Sequence, residues 1–216
     1  MTPHSGSAGA RRYAAPVTGI ALPRLVRRAK TLTWIGNAWH VLECAVAVGA
    51  GIAAGSIALI GFGVDSLVEG IAGFVLVWRL QRGEGVERRA QQLIAGTFFI
   101  VAAYVTVEAV RTLAAGDHPD ASWIGIALAA FTAVTMPLLA RAKRRVGNGL
   151  SSSATVNEAA QTQLCAYMSL ALLAGLAANA ALGWWWADPL AALAIAGIAL
   201  QEGVRGWRGE SCDDCC

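Results

Sequence analysis

Two carboxylates four residues apart, Asp65 and Glu69, stand in an otherwise apolar stretch of the chain. On a helix that spacing stacks both on one face, one turn apart. Held together in a low dielectric they repel each other unless protons or a cation lie between them. A divalent ion bound there and exchanged for protons would answer that cost. The competing reading is a structural pair, hydrogen-bonded to neighbouring helices. An earlier apolar run carries Asn37, His40, Glu43 and Cys44 along one side, at spacings of three and four. His40 with Cys44 would suit a soft metal, and Glu43 adds another carboxylate. Interhelical hydrogen bonding is the plainer explanation for His40 and Glu43. A third cluster closes the sequence, Cys212-Asp213-Asp214-Cys215-Cys216. Cys-x-x-Cys spacing lets two thiolates reach one metal ion, and the acidic neighbours add hard oxygens. In a reducing cytoplasm these thiols would stay available to capture metal. Alternatively they form a chain end without a role.

The elements that must position these groups are membrane spans. Of 216 residues, 56% are hydrophobic and 14% charged, against about a quarter charged in a soluble domain. Mean hydropathy is +0.53. Such a composition excludes a disordered chain, a coiled coil and a nucleic-acid module. A spanning helix needs about 20 mostly apolar residues, and the chain offers six such stretches. They lie near residues 32–54, 56–80, 93–114, 123–140, 154–176 and 186–204. Segment 1–31, with Pro3, Pro16, Pro23 and six basic residues, reads as a flexible tail. The apolar run behind it is too long for a cleaved signal peptide and lacks a small-residue cleavage site. Residues 32–204 form the six-helix transmembrane domain, and 205–216 a short Cys-rich tail that leaves no room for a second soluble domain.

Charge sets the orientation. Sixteen of the seventeen Lys and Arg residues fall before the first span, between two and three, between four and five, or after six. The positive-inside rule therefore places both termini in the cytoplasm. Trp123 and the run Trp184-Trp185-Trp186 fall at the opposite interface, as interfacial aromatics do. Arg111 is the one basic residue on that side; three residues from Glu108, it is expected to pair with it.

The stretch Gly61-Phe62-Gly63-Val64-Asp65-Ser66-Leu67-Val68-Glu69 resembles the second transmembrane helix of cation diffusion facilitators, which are six-span metal-ion/proton antiporters. That helix usually carries Asp-Ser-Leu-x-Asp or His-Ser-x-x-Asp; here Asp65 fills the first ligand position, and Glu69 stands for the second Asp. Gly183-Trp184-Trp185-Trp186-Ala187-Asp188-Pro189 is similar to the family's Trp-x-Asp-Pro turn before the last helix. The resemblance implies an all-α cation-efflux transmembrane domain, without the cytoplasmic ferredoxin-like domain that most members carry at the C-terminus. It also implies two further ligands on the fifth helix, where members present His-x-x-x-Asp. Counting back from Asp188 places that pair at Gln161 and Cys165, and a one-residue slip would give Thr162 and Ala166. Cys165 is either a thiolate ligand or a small core residue. A thiolate would favour zinc, cadmium or another soft ion over magnesium or calcium, while Gln161 is a weak zinc ligand. The choice among Zn, Cd, Co, Ni, Mn and Fe stays open.

Glu158, one turn before Gln161, could collect cations or relay protons. Met136 and Met168 read as core packing. The partners implied are the lipid bilayer, metal ions and protons, with no nucleic acid. A homodimer would have to form through membrane helices, at small residues such as Gly70 and Gly73 or Gly96. No His-Glu-x-x-His, Gly-x-Ser-x-Gly or phosphate-cradling loop is present, so an enzyme is not expected. The function expected is proton-coupled efflux of a divalent metal across the plasma or inner membrane of a prokaryote. The alternative is a membrane metal sensor or buffer without turnover.

Overall fold

The computed structural model describes residues 22–82, 87–150 and 152–208. Every regular element among them is helical: α1 (Leu22–Ala54), α2 (Ile57–Arg82), α3 (Glu87–Ala115), α4 (Trp123–Leu150), α5 (Ser153–Leu182) and α6 (Ala187–Arg208). All six are long and apolar enough to cross a bilayer. The chain is an all-α, multi-pass membrane protein. Large apolar side chains on the outside of the bundle, among them Ile52, Ile100 and Val134, are 67–70% exposed. In a bilayer they meet lipid rather than water.

The helices differ from expectation mainly in overrunning the apolar windows. α1 begins at Leu22, so residues 22–31, assigned to a flexible tail, are helical. Pro23 falls in the first turn, where its missing N–H costs no hydrogen bond, and the Arg and Lys residues that follow are good helix formers. α4 runs to Leu150, ten residues past its apolar window. Hydropathy marks where a helix can meet lipid, whereas backbone hydrogen bonding continues until a cap stops it. Segments 1–21 and 209–216, including Cys212, Cys215 and Cys216, lie outside the described residues.

The three connections at the Trp-rich end interlock. Gly55 turns the chain between α1 and α2 at φ 67°, a conformation that favours glycine. Ser56 then caps α2, its Oγ accepting from Leu59 N at 3.1 Å. Asp188, fully buried at the start of α6, accepts from Ser56 Oγ at 2.5 Å and from Ala58 N at 3.3 Å. The acid of the Trp-x-Asp-Pro turn thus sits on the positive end of α2, where a negative charge is stabilised. Asn179 Nδ2 donates to Pro119 O at 2.8 Å, and the His118 and Trp185 rings stack at 5.0 Å.

α2 packs against α1, α3, α5 and α6, and α4 lies between α1 and α5. α1 approaches α2 closely because small residues line the seam: a Cβ on Gly63 would come within 2.8 Å of Val48. Gly70 and Gly73, suggested as a dimer surface, face α1 instead, against His40 and Asn37. Towards the Trp-rich end the interior is filled by Leu59, Phe62, Leu172 and Leu176, all essentially unexposed.

Candidate metal centre

Three helices bring ionisable groups to the middle of the bundle. On α1 the buried stripe reads Thr33, Asn37, His40, Glu43 and Ala47, the i, i+3, i+4 progression of one helix face. A stripe that would ordinarily be apolar is polar along four of its five positions. α2 contributes Asp65, Ser66 and Glu69, and α5 contributes Cys165, all buried.

Glu43, with no exposed surface, is held from two sides. Ser66 Oγ donates to its Oε2 at 2.9 Å, and Thr132 Oγ1 on α4 donates to its Oε1. His40 Nδ1 lies 3.5 Å from Glu43 Oε2 and 3.4 Å from Glu69 Oε2. The Cys165 thiol lies 4.0 Å from Glu43 Oε2. Donor atoms of His40, Glu43 and Cys165 all fall within 4.8 Å of one another. Two atoms here, His40 Nδ1 and Glu69 Oε2, are buried without a hydrogen-bond partner. Buried polar atoms are seldom left so, because each forfeits its hydration. Among the described residues no Lys or Arg pairs with Asp65, Glu69 or Glu43.

Asp65 stands one turn before Glu69 on α2. It lines a small cavity with Glu69, Gln161 and Glu202, closed by Phe98 and Met168. Gln161 and Cys165, one turn apart on α5, are therefore divided: the amide faces this cavity and the thiol faces the His40 cluster. Glu69 belongs to both. Cys44 is half-buried and lies outside the cluster.

Nearer the Arg-rich end, Glu158 is in a different setting. Its Oε1 accepts from Lys143 Nζ at 2.8 Å and its Oε2 from Thr33 Oγ1 at 3.0 Å. Lys143 donates also to Thr162 Oγ1 at 3.1 Å. Lys143 is 3% exposed, although its charge counts with the cytoplasmic cluster in the sequence. The α4 stripe explains this: Thr132, Met136, Ala140, Lys143 and Val146 fall on one helical face, so Lys143 is in register with the core. Glu108, as expected, pairs with Arg111 at 2.9 Å.

Several of these groups escape a reading of the sequence. Lys143 was legible, had the α4 periodicity been extended past its apolar window. Thr132 and Thr33 carry no signal, since threonines in apolar helices are common. Glu202 looks like a tail residue because it lies at the charged end of the last span; it pairs with Arg205 at 2.9 Å while also lining the Asp65 cavity.

Comparison with known families matches residues 86–208 to the cation efflux transmembrane domain. That stretch runs through α3 to α6 and includes Gln161 and Cys165; the acidic motif of α2 lies ahead of it. A comparison with curated proteins gives no match. The family match spans more than half of the chain and falls on a six-helix apolar bundle, and the chain therefore belongs to the cation efflux transmembrane domain family.

Proposed function

We propose that this membrane cation transporter exports a divalent metal ion, zinc or another soft transition metal, from the cytoplasm in exchange for protons. The reading is carried by one observation: buried acidic groups meet in the middle of the bundle, and among the described residues no Lys or Arg forms an ion pair with them. A lone carboxylate in hydrocarbon costs at least about 2.5–3.5 kcal/mol on insertion scales. Several together are sustained only where positive charge is supplied from outside the chain, as metal in one state and protons in another.

In this scheme metal passes through two adjoining pockets that share Glu69, one lined by Asp65 and Gln161 and the other by Cys165. The Arg-rich end, with segment 1–31 and the tail 205–216, faces the cytoplasm. Metal reaches the centre from that side and displaces protons. The helices then rearrange so that the centre opens towards the Trp-rich end, where protons compete the metal away. The packed side chains Leu59, Phe62, Leu172 and Leu176 stand between the centre and that end, and must part for release. Members of the family are transporters rather than enzymes, and the centre needs no bond-breaking chemistry.

The test is zinc uptake into proteoliposomes under an imposed pH gradient. Wild type should accumulate zinc, and Asp65→Ala, inserted and folded, should not. Saturable binding without flux in wild type would instead make the protein a metal buffer or sensor.

A further inference from the structure

The donor atoms in the centre are more varied than the family-like pattern on α2 and α5 implies, and their separations are informative. A tetrahedral zinc ion with bonds of about 2.0–2.3 Å to N, O and S holds its ligands about 3.3–3.7 Å apart. Here His40 Nδ1 and Glu69 Oε2 are 3.4 Å apart, His40 Nδ1 and Glu43 Oε2 3.5 Å, and Cys165 Sγ and Glu43 Oε2 4.0 Å. Donor atoms of His40, Glu43 and Cys165 thus lie within 4.8 Å of one another, and Glu69 Oε2 approaches the set from α2 at the histidine. His40 Nδ1 and Glu69 Oε2, both buried and lacking hydrogen-bond partners, are the atoms such an ion would satisfy. Ser66 and Thr132 fix Glu43 from outside the cluster, as outer groups orient metal ligands.

We infer that α1 supplies half of the ligand sphere: His40 and Glu43, with Glu69 and Cys165, bind one soft divalent cation of the zinc and cadmium class. The inference rests on the transport reading for its purpose, but its ligand set can fail by itself. One nitrogen, one sulfur and two carboxylates suit a four-coordinate soft ion. They do not suit magnesium or calcium, which need six or more oxygen ligands or a largely hydrated shell. In this assignment Asp65 and Gln161 line the neighbouring cavity and are not direct ligands of the ion at Cys165.

The test is a cadmium titration of the purified full chain, read from the ultraviolet cadmium–thiolate charge-transfer band. Cys44, Cys212, Cys215 and Cys216 are first replaced by Ser, so that Cys165 is the sole thiol. That protein should bind one cadmium ion with the band present, and Cys165→Ser should lose it. His40→Ala and Glu43→Gln should each weaken cadmium binding by more than tenfold. Thr132→Val, which removes only an outer group, should weaken it by about 10-fold, less than either ligand variant. Glu43→Gln preserves the side-chain shape, and helical circular dichroism confirms that each variant is folded. Unchanged cadmium affinity in both His40→Ala and Glu43→Gln would overturn the assignment of α1, even if the protein transports zinc. Failure of zinc flux in liposomes with the cadmium signature intact would overturn the transport reading and leave the ligand set standing.

Discussion

Two layers of this bundle, sharing α5, bury ionisable side chains and treat them in opposite ways. Near the Arg-rich end, Lys143, Glu158, Thr33 and Thr162 form a closed set in which the carboxylate and the ammonium answer each other. Glu158 and Cys165 are seven residues apart on α5, about 10 Å along its axis. In the layer at Cys165, Glu43 and Glu69 meet a histidine and a thiol, and no Lys or Arg pairs with them among the described residues. The cost of burial is met by a Lys–Glu ion pair in one layer, whereas in the other the carboxylates meet only a histidine, hydroxyls and a thiol. Burial alone therefore does not mark a functional group in this fold; under the proposed function, burial without a Lys or Arg partner does.

Breaking the paired layer should give the largest effect on stability. Lys143→Ala leaves Glu158 buried without its partner and should cost about 3–5 kcal/mol, seen as a lower unfolding midpoint in detergent. Replacing both members, Lys143→Met with Glu158→Gln, should recover most of that loss, because no lone charge then remains. The middle layer should behave in reverse. Glu69→Gln should leave the unfolding midpoint unchanged or raised while zinc flux is lost, because it removes a buried charge with which no Lys or Arg pairs. A large destabilisation by Glu69→Gln would show that this layer, too, is structural.

Smaller effects sharpen the same contrast. Ser56→Ala removes the cap that Asp188 accepts from and should cost about 1 kcal/mol, with the metal affinity of the centre unchanged. Glu108→Gln breaks an exposed ion pair with Arg111 and should shift stability by less than about 1 kcal/mol, again without altering cadmium binding.

The six helices were legible because the length of a span is dictated by the bilayer and apolar runs of that length have few other uses. Asp65, Glu69 and Cys165 were legible because such groups rarely stand in hydrocarbon-facing sequence, and their positions resemble a family pattern. What the sequence hid was partnership. Glu158 looks as available as Glu69 until Lys143, fifteen residues away, is seen to turn inward. His40 and Glu43 lie in order along α1, but only the close seam with α2 at Gly63, Gly70 and Gly73 brings them to Glu69. Gln161 and Cys165 share a face in the helical count, yet neighbouring helices divide that face between a cavity and a cluster. Such relations are set by packing between helices, and no one-dimensional pattern carries them.

In the proposed cycle, cargo and protons alternate as the positive charge of the middle layer. This alternation is tested most directly by following internal pH in proteoliposomes when zinc is added outside, with no gradient imposed. Wild type should move protons against zinc, and the Lys143→Met, Glu158→Gln double variant should still do so. Glu69→Gln should not. Proton movement in the Glu69 variant at the wild-type rate, or zinc flux in wild type with no accompanying pH change, would contradict the account.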